Sequence, residues 1–551
     1  MFFRVKRTGG YAYLQIAESF REGGRVRQRV LSTLGRLDLL QSTGQLDALL
    51  RSGARFSQRL AILDAHAAGQ TEPVAVRRIG PDLIFGRLWE ELGIGDVLRQ
   101  ELGARRFEFD VERAAYLTVL HRLFASGSDR AAERWRESYR VPGTEALELH
   151  HLYRAMAFLG EPVDDPGGGT VPGAPRCIKD RLEEALFEPR RNLFTELDLV
   201  FFDTTSIYFE GEGGQELGQR GKSKDHRPDL KQMVVGMVLD LRGRPICCEL
   251  WPGNTADVTS LVPIVRRMQS RFGVRKVTIV ADRGMISAET IAALESRELD
   301  CDYILGARMR STSEVRDIVL KDRGRFRLIQ PERQRTTDPS PLKVKDVWVD
   351  DRRYVVCLNE EQRRKDVADR EAIVAQLREK LPAGGKEFVG NKGYRKYLRA
   401  ESGTAFILDE DKIREEARYD GHWVLRTNLA DEPEMIAMAY KQLWMVEDVF
   451  RTMKSTLETR PIYHKRDETI RGHVFCSFLA VMLRRALELR LEEKGDSWEW
   501  QEVTRGLDEL HEVEAVFQGH RFHLRSQLVG QAHKAFAAAG VAVPPTLRKV
   551  Q

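Results

Sequence analysis

Apolar residues follow two different periods along this 551-residue chain, and the places where the period changes divide it into regions. Near the start, the runs YAYLQIAES and RVRQRVL alternate, punctuated by Gly9-Gly10 and Gly23-Gly24, which predicts a small β-meander. From about Leu37 to Arg191 the spacing lengthens to three or four residues, as in DLIFGRLWEELG and ERAAYLTVLHRLFA, so helices are expected. The Pro- and Gly-dense stretch PVDDPGGGTVPGAP reads as an exposed loop or linker, with Asp164 and Asp165 as turn formers.

The texture changes near Leu197. LDLVFFDTTSIYFEG, LKQMVVGMVLD and PICCELWPGN are three β-type runs, the last two joined by a short turn at Leu241 to Arg244, so an antiparallel meander is expected. GNTADVTS then offers Asn254, Thr255 and Asp257 as possible N-caps, before a helical LVPIVRRMQSRF and a strand VTIVADRG. A strand reached through a helix should run parallel to its predecessor, giving a mixed sheet and an α/β fold. Residues near Arg310 to Asp431 exceed what one helix-strand unit needs. Their runs FRLIQ, VKDVWVDDRRYVVCLN and GTAFILDEDK read as strands and RKDVADREAIVAQLREKL as a charged helix, predicting a β-rich insertion subdomain. Met435 to Leu457 is helical in pattern, and the segment from Ala486 onward reads as charged helix.

The expected organisation is therefore a basic β-meander and helix over 1–75, a helical region for DNA binding or dimerisation over 76–191, a core over 192–310, the insertion over 311–431, the last core helices over 432–485 and a helical end over 486–551. No window approaches the eighteen or so apolar residues of a membrane span, and MFFRVKRTGG lacks the apolar core of a secretory signal, so a cytoplasmic protein is expected. The six cysteines form no C-x-x-C pair and read as reduced core thiols. His226 and His473 lack partners at zinc-ligand spacing.

Charge sharpens the picture at the N-terminus. Residues 1–36 carry eight Lys/Arg against Glu18 and Glu22, a surplus of six, whereas the whole chain has a surplus of five. Arg4, Lys6, Arg25 and Arg27 project from the predicted meander as a platform for a polyanion such as DNA. Two further basic groups follow the acids described next: Arg220, Lys222, Lys224, His226, Arg227 and Lys231, and Arg460, His464, Lys465, Arg466, Arg471 and His473. Either could track phosphates.

The chemistry concentrates in three acids: Asp203 in LVFFDTTSIYF, Asp282 in VTIVADRGM and Glu447 in YKQLWMVEDVFRTMK. The first two lie in or at the end of apolar strands that hold a side chain rigidly. Glu447 falls within the apolar stripe of Ile436, Leu443, Val446, Phe450 and Met453, where an unpaired carboxylate is costly and a metal would relieve the cost. Tyr440, Glu447 and Lys454 are spaced by sevens, about 10.5 Å apart along one face of a continuous helix. Three carboxylates on rigid elements suit paired divalent ions.

Antiparallel strands, a crossover helix and an acid-tipped strand form the order of an RNase H-like core. With the Tyr440-x6-Glu447-x6-Lys454 spacing, the chain resembles the IS4-type DDE transposases, and its ADRGM and YDGHWVLRTNL segments are similar to the IS1634 branch. The likeness runs from VKRTGGYAYLQIAESFREGGRVRQRVLSTLG to about Arg485. It implies binding to the terminal inverted repeats of a mobile element, magnesium-dependent cleavage there and joining of the ends to target DNA. It further implies two Mg2+ ions, with Mn2+ as a substitute, Asp203 bridging both and Asp282 and Glu447 each completing one. A nucleoid-associated homodimer on DNA is expected by the same resemblance. Tyr440 and Lys454 are implied as DNA contacts; the pattern usually places Arg three residues after the Tyr, but here Leu443 stands there, and Arg451, one turn after Glu447, is the candidate replacement as a DNA contact. Trp423 is the candidate for stacking on a displaced base. Two other readings stay open. An aspartyl-nucleophile phosphatase is weakened by Thr205 where a second Asp is wanted. A non-catalytic DNA-binding protein derived from a transposase would keep the basic platform alone.

Overall fold

The computed structural model describes residues 1–551 apart from 23–24, 55–70, 165–173, 192–198, 275–276, 331–339, 382–390, 401–405, 496, 518–519 and 550–551. Most of the expected loop at 162–175, Asp165 included, thus lies outside the described residues. The chain divides into two units: Met1–Gly80 with Ser138–Arg140 and Glu499–Gln551, and Pro81–Glu137 with Val141–Trp498.

In the first unit, Phe2–Thr8, Tyr11–Glu22 and Arg25–Arg36 form a three-stranded antiparallel sheet, with two irregularities against the third strand, at Leu14/Gln15 and Ile16/Ala17. A second sheet runs in the order Leu547–Lys549, His520–Arg525, His511–Phe517, Thr71–Arg78. The segment after Ala486, expected to be helical, therefore carries strands as well as the helices Trp500–Asp508 and Ala532–Ala539. HEVEAVF and HRFHLR alternate at period two, and pairing across the hairpin outweighs the helical preference of their Glu and Ala residues. Buried Glu512 anchors this sheet by receiving Arg140, Arg548 and His523.

The second unit is built on one nine-stranded mixed sheet. In chain order its strands are β1 Leu199–Tyr208, β2 Gln232–Leu239, β3 Pro245–Pro252, β4 Thr278–Ala281, β5 Asp302–Gly306, β6 Arg327–Gln330, β7 Leu342–Val349, β8 Arg352–Leu358 and β9 His422–Thr427. The spatial order is β6-β7-β8-β9-β5-β4-β1-β2-β3. β1, β2 and β3 form the expected antiparallel meander, and the crossover helix α1, Leu261–Arg271, returns the chain to β4, which pairs parallel to β1. Leu261, Ile264, Val265 and Met268 recur on one face of α1 and pack with Val200, Phe202, Ile279 and Ala281 in a dry core. Each such fully buried side chain contributes about 1.5–3 kcal/mol.

Of the strands expected in the inserted segment, FRLIQ and VKDVWVDDRRYVVCLN supply β6, β7 and β8 of this sheet, whereas Phe406–Leu408, within GTAFILDEDK, pairs with Leu398–Ala400 in a separate two-stranded sheet. β7, β8 and β9 pair in succession and β9 pairs with β5, so they extend the sheet that carries the acids. The inserted segment does build a local core, in which Val315, Val319, Val347, Tyr354, Tyr419 and Val424 pack together.

Three more helices complete the frame: α2 Pro433–Lys441, α3 Trp444–Arg451 and α4 Asp467–Glu493. α4 packs against the helices Val111–Phe124 and Leu149–Leu159, so the helical region and the last core helix form one bundle. The close approach depends on glycine: a Cβ on Gly472 would run into the Met156 carbonyl. Arg122 adds a hydrogen bond from its guanidinium to the His473 carbonyl at 2.7 Å. No described helix is long and apolar enough to cross a membrane, and all six cysteines are buried thiols.

Candidate active site

Strand alternation places Asp203. Val200 and Phe202 point into the core beneath α1, so Asp203 faces the other side of the sheet. β1 pairs with β4 through Phe202 and Ala281, which puts Asp282, the next residue after β4, on the neighbouring strand end as expected. Burial strips water from the Asp203 carboxyl and pushes its pKa up to about 6; the Asp282 and Asp257 carboxylates add to the rise, while Lys224 and the Thr204 N–H oppose it. That N–H donates to Asp203 Oδ1 at 2.7 Å.

Asp282 caps a short turn, Arg283–Met285, and accepts the Tyr440 hydroxyl at 3.2 Å. Burial and the Asp282 charge both push the Tyr440 pKa upward, so the phenol is a neutral donor. Tyr440 reaches this position over Gly306 of β5: a Cβ there would lie 2.5 Å from the Tyr440 oxygen and 2.9 Å from the Arg283 nitrogen. Arg308 braces the same turn, donating to the carbonyls of Arg283 and Gly284, each at 3.0 Å.

The segment carrying Tyr440, Glu447 and Lys454 is not one continuous helix. α2 ends at Lys441, the chain tightens through Leu443 N–H to Tyr440 O at 3.1 Å and Val446 N–H to Leu443 O at 3.0 Å, and α3 widens into a π-turn over Thr452–Thr456. Seven-residue spacing therefore does not keep the three side chains on one face. Lys454 turns inward to Asp225, at 2.8 Å, with Arg460 3.6 Å from the same carboxylate, and burial lowers the Lys454 pKa. Glu447, by contrast, is exposed alongside Trp444 and Arg451, while Val446, Val449 and Phe450 form the buried side of α3. The expectation that Glu447 lies in an apolar stripe is thus corrected: no burial cost presses on it. Leu443 is buried, which explains an apolar residue there; Arg451 is exposed and pairs with Asp448 at 3.2 Å.

The sequence reading missed Asp257. Instead of capping α1, it accepts the Thr204 hydroxyl at 2.7 Å and lies 3.3 Å from Lys224 Nζ. Topology held the signal. β3 runs in the same direction as β1 and β4, so an acid just after β3 arrives at the sheet end where Asp282 lies. A cavity of about 630 Å3 opens beside these groups, lined by Asp257, Lys222, Lys224, Arg283, Arg308 and Arg310 among others.

Trp423 sits on β9 opposite Cys357, half-buried, with its indole nitrogen buried and without a hydrogen-bond partner among the described residues. The exposed tryptophans are Trp348 and Trp444. Several of the basic residues are already engaged by protein: Arg227 with Asp229, Lys231 with Glu212 and Arg471 with Glu216. In the first unit, Arg4 and Lys6 pair with Gln15 and Tyr13, odd positions of the middle strand, whereas Arg27 pairs with Phe20, an even one. They occupy opposite faces of the sheet. Arg25 lies opposite Glu22, and its side chain is outside the described residues.

Among the described residues, the group of three metal-type ligands with atoms within 4.8 Å of one another is Asp129, His464 and His473, not the three acids. These three already satisfy one another and their neighbours. Arg122 donates to His473 Nδ1 at 2.9 Å, His473 Nε2 donates to the Thr459 carbonyl at 3.1 Å, and His464 with Arg122 holds Asp129 down to about 2 against the effect of burial.

Residues 3–69 match the IS1634 family transposase, N-terminal domain, and residues 195–483 match the Transposase DDE domain. No curated protein matches. Among solved structures, the chain is similar to a cryo-EM structure of piggyBac transposase in a synaptic complex with hairpin DNA, at 10% identity, 78% coverage of each chain and a TM-score of 0.33, too low to bear on the site. Neither family match names the wider IS4 grouping. The DDE match spans more than half of the residues and contains Asp203, Asp282 and Glu447, and with the N-terminal match it means that the chain belongs to the DDE transposases of the IS1634 family.

Proposed function

We propose that this chain binds the inverted repeats at the ends of an insertion sequence, cleaves DNA there by two-metal-ion hydrolysis, and joins the freed 3′-hydroxyls to target DNA. The observation that carries the reading is the pairing of Asp203 and Asp282 on adjacent parallel strands, with the Asp203 carboxyl held near pKa 6 by burial and by its acidic neighbours. A carboxylate kept ionised against that opposition is relieved by a cation, and its hard oxygens suit Mg2+, with Mn2+ as a substitute.

Asp203, Asp282 and Glu447 are the residues that would hold the ions. Two bound ions supply an activated attacking oxygen and a stabilised leaving oxygen. Tyr440 orients Asp282 by donating a neutral hydrogen bond. Lys454 neutralises buried Asp225 and so fixes the loop that brings Lys224 to the acids. Lys222 and Arg283, on the cavity wall, face the space that a phosphodiester backbone would cross. Hydrolysis frees a 3′-hydroxyl, which attacks a target phosphodiester, breaking one bond for each one formed without a covalent protein intermediate. Two copies on paired ends, and association with the nucleoid, belong to the same proposal.

Incubation of a labelled duplex carrying the flanking inverted repeat with the intact chain or with Glu447→Ala in magnesium tests the reading. Cleavage at the repeat boundary by the intact chain alone is expected. Binding without cleavage by either protein would instead support the non-catalytic descendant.

A further inference from the structure

Asp257 opens a short turn, Asp257–Thr259, and the N-cap of α1 is Ser260. Its carboxylate is therefore not spent on the helix. Oδ1 accepts the Thr204 hydroxyl at 2.7 Å and lies 3.3 Å from Lys224 Nζ. The same ammonium donates to the Thr204 carbonyl at 2.7 Å and to the Thr204 hydroxyl oxygen at 2.9 Å. A threonine hydroxyl has one proton; with Lys224 donating to the oxygen, that proton goes to Asp257, which leaves a closed triangle with one orientation.

The triangle surrounds the residue next to Asp203, whose Oδ1 takes the Thr204 N–H. The other oxygen of Asp257 faces Gly284, two residues beyond Asp282: a Cβ at Gly284 would lie 3.5 Å from Oδ2. One carboxylate thus reaches from β1 to the turn after β4, the two elements that bear the strand-borne acids. It also lies 3.3 Å from the Lys224 ammonium, which donates to both Thr204 oxygens beside them.

We infer that Asp257 is a positioning residue of the cleavage site, holding Thr204 and Lys224 so that β1 presents Asp203 in one geometry; this rests on the function proposed above. A simple tether for the start of α1 would need the Asp257 contact with β1 but not the charge on Lys224 or the direction of the Thr204 hydroxyl.

The test uses the full chain, the repeat duplex and magnesium, with single-turnover rate, duplex affinity and melting temperature measured for Asp257→Asn, Thr204→Val, Thr204→Ser and Lys224→Met. Asp257→Asn is expected to slow cleavage about 10- to 100-fold, the size of a small misplacement of a reacting group, with duplex affinity unchanged within about twofold. Thr204→Val should lose a similar factor and Thr204→Ser should recover most of it. Asp257→Asn combined with Lys224→Met should lose no more than the worse single variant, because both open the same triangle. A wild-type rate for Asp257→Asn overturns the inference alone, as does a Thr204→Ser as slow as Thr204→Val with melting lowered in step. Failure of the parent chain to cleave overturns this inference and the proposed function together.

Discussion

Asp203 and Glu447 carry the same functional group but have opposite environments. Asp203 is fixed in the middle of a strand paired on both sides, stripped of water and opposed by two other acids. Glu447 stands exposed on an eight-residue helix bounded by a tightened turn on one side and a π-turn on the other. A sheet can hold a carboxylate where it does not want to be charged, because ladder hydrogen bonds and core packing supply the opposing free energy. A short surface helix can only offer its carboxylate. The two strand acids therefore belong to the scaffold, and the helix acid to whatever the scaffold binds.

The contrast is sharpest in paired substitutions. Asp203→Asn and Glu447→Gln should each reduce cleavage by on the order of a thousandfold, about 4 kcal/mol of transition-state stabilisation. Their effects on the metal-free protein should differ. Asn at 203 removes an opposed charge and should raise stability at pH 7.5, read as a higher melting temperature, whereas Gln at 447 should leave stability within about 0.5 kcal/mol of the parent. A destabilised Asp203→Asn would break the comparison.

Gly306→Ala comes next in size. The new methyl would push the Tyr440 hydroxyl and the Arg283 backbone apart, and a shift of that kind at the Asp282 turn should cost roughly 100-fold in cleavage rate with repeat binding retained. Single-turnover kinetics checks it.

A pH dependence follows from Asp203. Its folded pKa, about 6, lies above the ordinary 3.8, so the folded chain binds this proton more tightly than the unfolded chain. The associated stability is fully present below about pH 4 and is lost as pH rises through about 6; the full span is about 3 kcal/mol. Magnesium should return most of it, so the rise in melting temperature on adding Mg2+ should be larger at pH 7.5 than at pH 5, and Asp203→Asn should abolish the difference. The smallest expected effect is that of Tyr440→Phe, which loses one hydrogen bond to a carboxylate and should slow cleavage by about tenfold.

Much of the scaffold was legible in the chain. The runs holding Asp203 and Asp282, the turn between β2 and β3, and the helical stripe of α1 are local patterns, and each formed the element it predicts. The parallel pairing of β1 with β4 followed from the crossover rule. What failed depended on distant partners. Continuing the helix from Tyr440 to Lys454 ignored that Tyr440 is drawn to Asp282 and Lys454 to Asp225, more than 150 residues away in each case. The runs FRLIQ and VKDVWVDDRRYVVCLN form strands as their pattern predicts, but β9 is not among the expected strands, and no pattern within these runs announces that it would pair with β5. Arg4 and Arg27 looked like one basic platform until the register put them on opposite faces.

By itself, then, the sequence determined the strands β1 to β4, the helix α1 and which acids are available, because hydrophobic periodicity acts over a few residues and declares itself locally. Only the tertiary structure decided that Asp257 would turn from a helix cap into the partner of Thr204 and Lys224, that Glu447 would face solvent, and that Gly306 would make room for Tyr440. These outcomes turn on contacts between segments tens to hundreds of residues apart, and a side chain's charge, burial and hydrogen-bond direction are set by such contacts rather than by its neighbours along the chain.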